Sequence, residues 1–174
     1  MRAPDPPEGT RTQVIALLQA HHVAYRLLPH SEAVFTVATA AEQRGVILKE
    51  MVKSILLRES GGNRFVMACV RGPDRLDTQA VRGFLDGPCR RLTFASREQI
   101  LEVTGFVQGA VAPLCLPPGI PVVFDEAISG CAKVNISSGD PLLGLELSTM
   151  DLIRLAHARL ACIASPGDKL PSDL

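Results

Sequence analysis

A chain of 174 residues, 47% hydrophobic and 21% charged, carries enough apolar material for one domain around a single substantial core and too much for a disordered polymer. The formal net charge is zero, which excludes a general duplex-DNA coat, because such binding draws on many Lys and Arg contacts to phosphate. No apolar run approaches the ~20 residues that span a bilayer, and MRAPDPPEGTR lacks the apolar stretch of a secretory signal.

Taken in chain order, residues 1–11 are rich in Pro, Gly and acid and predict a loose tail. A single domain is expected over 12–163, and a second tail over 164–174. TQVIALLQAHH predicts a helix capped by Thr12, with Val14, Leu17 and Leu18 at helical spacing. AYRLLP follows as a short strand. Thr36 caps a second helix, TVATAAEQR, which Gly45 closes. VKSILLRESGGNRFVMACV is two apolar runs about a Ser-Gly-Gly-Asn turn, a strong hairpin signal. Asp77 or Thr78 caps a helix over QAVRGFL, and RRLTF predicts a strand. Ser96 with Gln99 forms a capping-box pattern ahead of REQILEV. PVVFDEA predicts a strand, KVNISSG and LLGLELS a hairpin-like pair, and Ser148 with Asp151 the start of a last helix, TMDLIRLAHARL.

These elements predict an α+β fold: a mixed, mostly antiparallel, barrel-like sheet surrounded by helices. The five cysteines are odd in number and widely spaced, with no CxxC. They predict buried small hydrophobes in a reducing cytoplasm, and neither a disulfide framework nor a zinc site. No GxGxxG, Walker loop, HExxH or GxSxG occurs, so no metal and no cofactor is expected.

One stretch stands apart. In TGFVQGAVAP, Gly105, Gly109 and Pro113 fall at intervals of four. Glycine allows close backbone approach and positive φ, and proline stiffens a loop. Such a loop leaves N–H groups accessible to a carbonyl or a developing oxyanion. It equally suits a tight helix-to-strand connection, and spacing alone favours that plainer reading.

TGFVQGAVAP with the preceding RRLTFASREQILEV resembles the signature region of the YbaK family of aminoacyl-tRNA editing proteins, relatives of the insertion domain of bacterial prolyl-tRNA synthetase. The family's GxxxP loop matches Gly109-Ala110-Val111-Ala112-Pro113. Its hallmark lysine matches Lys53 in VKSILLR. Its histidine followed by a threonine-capped helix matches His30 and Thr36. PVVFDEAI, VNISSGDP and MDLIRL match the later motifs in order, so the resemblance covers roughly residues 12–160.

The resemblance implies a free-standing trans-editing deacylase that hydrolyses the ester of a small mischarged amino acid on tRNA, with tRNA(Pro) the expected carrier. Alanine and cysteine lead, with serine and threonine next. It implies a catalytic group of Lys53, Gly109, Ala110 and Val111. His30, Thr36, Lys53, Gly109, Pro113 and Gly139 would bind substrate. Loop amides would hold the aminoacyl carbonyl region, the Lys53 ammonium would grip the phosphate beside the terminal adenosine, and the tRNA's own ribose hydroxyl would help to position water. Gly139 would shape the pocket wall. Arg71, Arg75, Arg90 and Arg91 are weaker candidates for phosphate contacts, and His21, His22 and His157 read as structural. The expected partner is the acceptor end of an aminoacyl-tRNA, with an aminoacyl-tRNA synthetase as a second. The alternative is a non-catalytic nucleic-acid-binding or synthetase-interacting module of the same fold.

Overall fold

The computed structural model describes residues 12–165 apart from positions 35, 86 and 90. The predicted tail at 1–11, most of that at 164–174, and Arg90 lie outside the described residues. Helix α1 (Gln13–Ala20) is capped as expected, with Thr12 Oγ1 accepting the Ile15 N–H at 3.3 Å. Strand β1 (Tyr25–Pro29) follows, then α2 (Val37–Arg44), which Thr36 caps and Gly45 closes at φ 63°. Strands β2 (Val52–Glu59) and β3 (Phe65–Arg71) form the predicted hairpin. A two-residue strand, β4 (Arg75–Leu76), leads to α3 (Thr78–Val81), capped by Asp77, and a tighter turn over Arg82–Phe84. Strand β5 (Leu92–Phe94) precedes α4 (Arg97–Thr104), where Ser96 and Gln99 complete a reciprocal capping box. Then come β6 (Val122–Asp125), β7 (Lys133–Asp140), β8 (Leu143–Ser148), α5 (Thr149–Leu155), β9 (Arg159–Ala161) and β10 (Ala164–Ser165). β10 pairs with β4, so described pairing continues past residue 163.

The last helix stops at Leu155 instead of running on to Leu160. His157 takes φ 48°, the chain reverses, and the segment expected to be helical becomes β9, parallel to β6. Sheet pairing wins here over the helix preference of Ala, Arg and Leu.

The strands form a sheet ordered β5-β2-β3-β6-β9, a sheet ordered β1-β8-β7, and the β10-β4 pair. Most pairs are antiparallel, while β3–β6 and β6–β9 are parallel. The mixed α+β architecture is the expected one, but the sheets do not close into a barrel. They layer instead. Met67 and Cys69 of β3 face the main core with Val14, Ile15 and Leu18 of α1, Phe124 of β6 and Leu145 of β8. Val66, Ala68 and Val70 of the same strand face a second core with Val81, Leu85 and Ile163. Both faces of β3 are therefore buried, which explains its unbroken apolar run. Asp125 turns out to be structural: Oδ1 accepts the Ala127 N–H, and Oδ2 accepts the N–H groups of Ile163 and Ala164 at 2.9 Å each. Of the cysteines only Cys69 is buried; Cys89, Cys115 and Cys131 are partly exposed and Cys162 is exposed. Cys69 packs in the main core as the small hydrophobe expected of all five, and that burial pushes its thiol up to about 12.

Candidate functional site

The site follows from how β2 is paired. Glu59 N–H donates to Arg64, and Gly72 N–H donates to Met51. These bonds fix the odd-numbered residues of β2 as those that bond β3, so the main-chain groups of Val52 and Ser54 point the other way. On that side β5 reaches only Leu57–Glu59, with one further bond from Ala95 N–H to Leu56. Apart from an isolated parallel bridge between Met51 and Asn135 at its start, the first half of β2 is thus an open strand edge among the described residues. A cavity of about 320 Å³ lies along it, walled by Thr36, Val37, Ala40 and Arg44 of the α2 segment, by Gln108, Gly109 and Val111, and by Phe94 and Ser137. Its floor is buried: Ala40 is 5% and Met51 4% exposed, whereas Phe94 at the mouth is 65% exposed.

Four of the expected residues, Thr36, Lys53, Gly109 and Val111, line this one cavity. Helix α4 ends at Gly105, and Phe106 anchors the next turn in the core at 3% exposure. Gly109 has φ 91°, a conformation that penalises any Cβ. The Ala110 N–H donates to Val107 C=O at 3.0 Å, so that amide is occupied and is not an available donor. Ala110 and Pro113 are buried supports of the loop, and Pro113 faces a larger open groove on the far side. The N–H groups of Gly109 and Val111 have no partner among the described residues. The available donors are therefore those of Gly109 and Val111.

The Lys53 ammonium donates to the Asp74 main-chain oxygen. Burial pulls its pKa below the ordinary lysine value, Asp74 opposes this, and nearby Arg75 adds to it. The Asp74 carboxylate itself is engaged by Arg71 at 2.7 Å. Lys53 thus keeps two donor protons for a ligand. The described cavity lining contains no Asp, Glu, His or Cys, so its hydroxyls, those of Thr36, Ser54 and Ser137, have no carboxylate or imidazole within the lining to activate them.

His30 lies behind the cavity wall, 9% exposed. Its Nδ1 is 3.2 Å from Pro141 C=O and its Nε2 accepts from Arg44 Nε at 2.8 Å. A carbonyl on one side and an N–H donor on the other fix the neutral Nδ1–H tautomer. Burial, and then Arg44, hold the imidazole below its ordinary value of 6.5. The unfolded chain therefore binds this proton first as pH falls. The stability that neutral His30 contributes is complete above about 6.5 and is lost as pH drops from there through the folded value. Denaturant midpoints measured across this acid range should decline, and His30→Gln should flatten that part of the curve.

Gly139 is placed elsewhere, at φ 93° in β7, where an added Cβ would lie 2.9 Å from Phe106 Cε1. It shapes the seat of Phe106 and not the cavity lining. Gly139→Ala should cost about 1–3 kcal/mol, read as a fall in Tm of about 2–4 °C per kcal/mol, with no change in substrate preference.

Sequence reasoning missed Arg44, Ser54, Phe94, Gln108 and Ser137. Arg44 ends α2, where a cation ordinarily complements the helix dipole in solvent. Here it folds inward over Gly144, where a Cβ would overlap its guanidinium. Nothing near Arg44 in the chain marks that distant glycine.

The model of a family described as the aminoacyl-tRNA editing domain matches residues 31–155. A protein named multifunctional Ser/Thr-tRNA deacylase ProXp-y, from Escherichia coli strain K12, is 27% identical over 154 residues, 87% of this chain and 90% of that protein. The proline–tRNA ligase of Bacillus licheniformis is 28% identical over 128 residues, 74% of this chain, which spans 21% of the ligase. Among solved structures, a hypothetical protein superposes with a TM-score of 0.78 at 27% identity, covering 88% of this chain and all of that one. A proposed trans-editing enzyme for prolyl-tRNA synthetase gives 0.73 at 23% identity, covering 90% and 99%, and shows the shared fold.

Proposed function

Because the chain belongs to the aminoacyl-tRNA editing domain family, we propose that it is a deacylase acting in trans on the ester that joins a small mischarged amino acid to the terminal adenosine of a tRNA. The observation that carries this reading is the gathering, along one cavity with no acidic side chain in its described lining, of two residues with unoccupied main-chain donors, Gly109 and Val111, and one partly buried ammonium. The E. coli deacylase it resembles along most of both chains supports the reaction class.

The ester is already labile, so the chemistry asked of the protein is positioning and charge stabilisation. The aminoacyl group enters past Phe94 and Gly109. The N–H groups of Gly109 and Val111 hold the carbonyl oxygen and stabilise the negative charge that grows there. Water adds to the acyl carbon, the bond to the ribose oxygen breaks, and that oxygen leaves with a proton. Lys53 grips the phosphate beside the terminal adenosine as a point charge. A synthetase cannot strongly reject a smaller amino acid by fit alone, since a missing methylene is worth only about 1–3 kcal/mol, and a separate hydrolytic cavity supplies the second sieve. The substrate set is alanine, cysteine, serine and threonine, the carrier is tRNA(Pro), and the place of action is the cytoplasm. A synthetase partner fits, because a chain of zero formal net charge has limited grip on a whole tRNA.

The test is release of free amino acid from tRNA(Pro) charged separately with each of these residues. Accelerated release from at least one, with correctly charged Pro-tRNA spared, is the expected result. Ester half-lives unchanged across the panel would reject the reading.

A further inference from the structure

The buried end of the cavity holds an arginine with no carboxylate. Arg44 is mostly buried, and burial pulls it down to about 10, so it stays charged at neutral pH. Among the described residues no Asp or Glu pairs with it. A charge removed from water and left without a counter-ion is costly, and this one is held with care. Nε donates to His30, whose acceptor nitrogen is set by Pro141 on the other side of the ring. Nη1 donates to Ile136 C=O at 3.3 Å and lies 3.8 Å from Met51 Sδ. Gly144 leaves the room in which the guanidinium sits. Nη2 has no partner among the described residues, and Arg44 lines the cavity.

Ser137, next in the chain to the residue that Arg44 binds, lines the same end. Its Oγ accepts the Gly139 N–H at 3.3 Å, which leaves its hydroxyl proton to donate. This end of the cavity therefore presents donors and asks for an acceptor oxygen. The polynucleotide is not that acceptor. In the deacylase reading it meets the protein at the exposed mouth, near Phe94, while this end adjoins Met51, 4% exposed. A side-chain carboxylate is also a poor match. A carboxylate takes two N–H groups side by side, Nε with Nη2 or Nη1 with Nη2; one member of each pair is already used, at Nε and at Nη1, and Nη2 alone remains. One nitrogen and one hydroxyl suit one oxygen.

We propose that Arg44, supported by His30 and Gly144 and aided by Ser137, reads a hydroxyl on the side chain of the bound amino acid, so that the substrate class is the hydroxyl-bearing residues serine and threonine and not alanine. This rests on the deacylase reading and narrows it. The physical basis is asymmetric. An apolar pocket hardly distinguishes a residue that adds a hydroxyl, whereas a site built to hydrogen-bond that hydroxyl penalises its loss by leaving buried donors unpaired.

Two readouts test this. The first is kcat/KM for seryl, threonyl and alanyl esters on the same tRNA. Wild type should favour serine over alanine by about 10- to 100-fold, the scale of one hydrogen bond to a charged group. Arg44→Met should bring the ratio to within about threefold of unity by loss of seryl activity. Gly144→Ala, which keeps the arginine but displaces it, should move the ratio the same way and guards against an Arg44→Met chain that does not fold. The second readout is binding of the non-hydrolysable 3′-seryl and 3′-alanyl amides of 3′-amino-3′-deoxyadenosine by calorimetry, which requires no catalysis. If wild type cleaves no ester yet prefers the seryl amide through Arg44, the deacylase reading fails and this inference stands. Equal treatment of seryl and alanyl ligands by wild type in both readouts, or a serine preference that survives in both variants, overturns it.

Discussion

Lys53→Ala is expected to lower kcat/KM for ester hydrolysis by about 10- to 100-fold, the value of a hydrogen bond to a charged group in a partly desolvated place. Lys53 stands on the open half of β2, and its ammonium is steadied by the Asp74 carbonyl while the Asp74 carboxylate is taken by Arg71. The charge is therefore presented to the cavity and not cancelled within it. A phosphate gripped before reaction is gripped equally in the transition state. The loss should fall mainly on KM, with kcat changed far less. Lys53→Arg should recover part of it, because a planar fork does not reproduce a point donor. The pH profile carries a second signature. Burial lowers the lysine's pKa from 10.5, so the charged form dominates below the lowered value and disappears above it. After subtraction of hydroxide-driven ester loss, wild-type activity should fall in alkaline solution earlier than for an ordinary lysine. Lys53→Ala should lack that limb.

Gly109→Val should be the more damaging change to kcat, by about 100-fold or more, the scale of losing one oxyanion-hole donor. Gly109 holds φ 91°, where a β-branched residue costs about 1–3 kcal/mol. Relief of that strain rotates the peptide planes on either side, which carry the Gly109 and Ala110 N–H groups, and loss of the Ala110 N–H bond to Val107 shifts the Val111 N–H off the carbonyl as well. The matched control is Gly61→Val. Gly61 sits at φ 73° in the β2–β3 turn with open space about it. It should give a similar fall in Tm and no fall in kcat. A loop that merely connects α4 to β6 would make the two variants alike.

The contrast between these residues and Arg44 shows what a sequence displays. The caps at Thr12, Thr36, Asp77 and Ser96 were legible because capping is a local hydrogen bond between near neighbours. The Gly61 turn and the apolar runs beside it were legible for the same reason. Lys53, Gly109 and Val111 could be named from motif order, and they do converge on one cavity. The parallel placing of β6 beside β3, and β9 where helix was expected, depend on pairing across distant chain and have no local mark. The open edge of β2 is likewise a property of where β5 stops. Arg44 is the clearest case: as the last residue of a helix it looks like a solvated cation, and only Gly144, Pro141 and Ile136, brought over by β7 and β8, turn it inward. Gly139 was assigned to the pocket wall from its motif, but it packs against Phe106.

The central claim is that the Gly109 and Val111 amides, with the Lys53 ammonium, are sufficient to position an aminoacyl ester for attack by water. The most direct measurement is the single-turnover hydrolysis rate of Ser-tRNA(Pro) by the wild-type chain, beside Gly109→Val, with all side chains of the cavity otherwise intact. Rapid release by wild type and a rate near the uncatalysed one for the variant is the predicted outcome. Equal rates for the two proteins, or no acceleration by either, would contradict it.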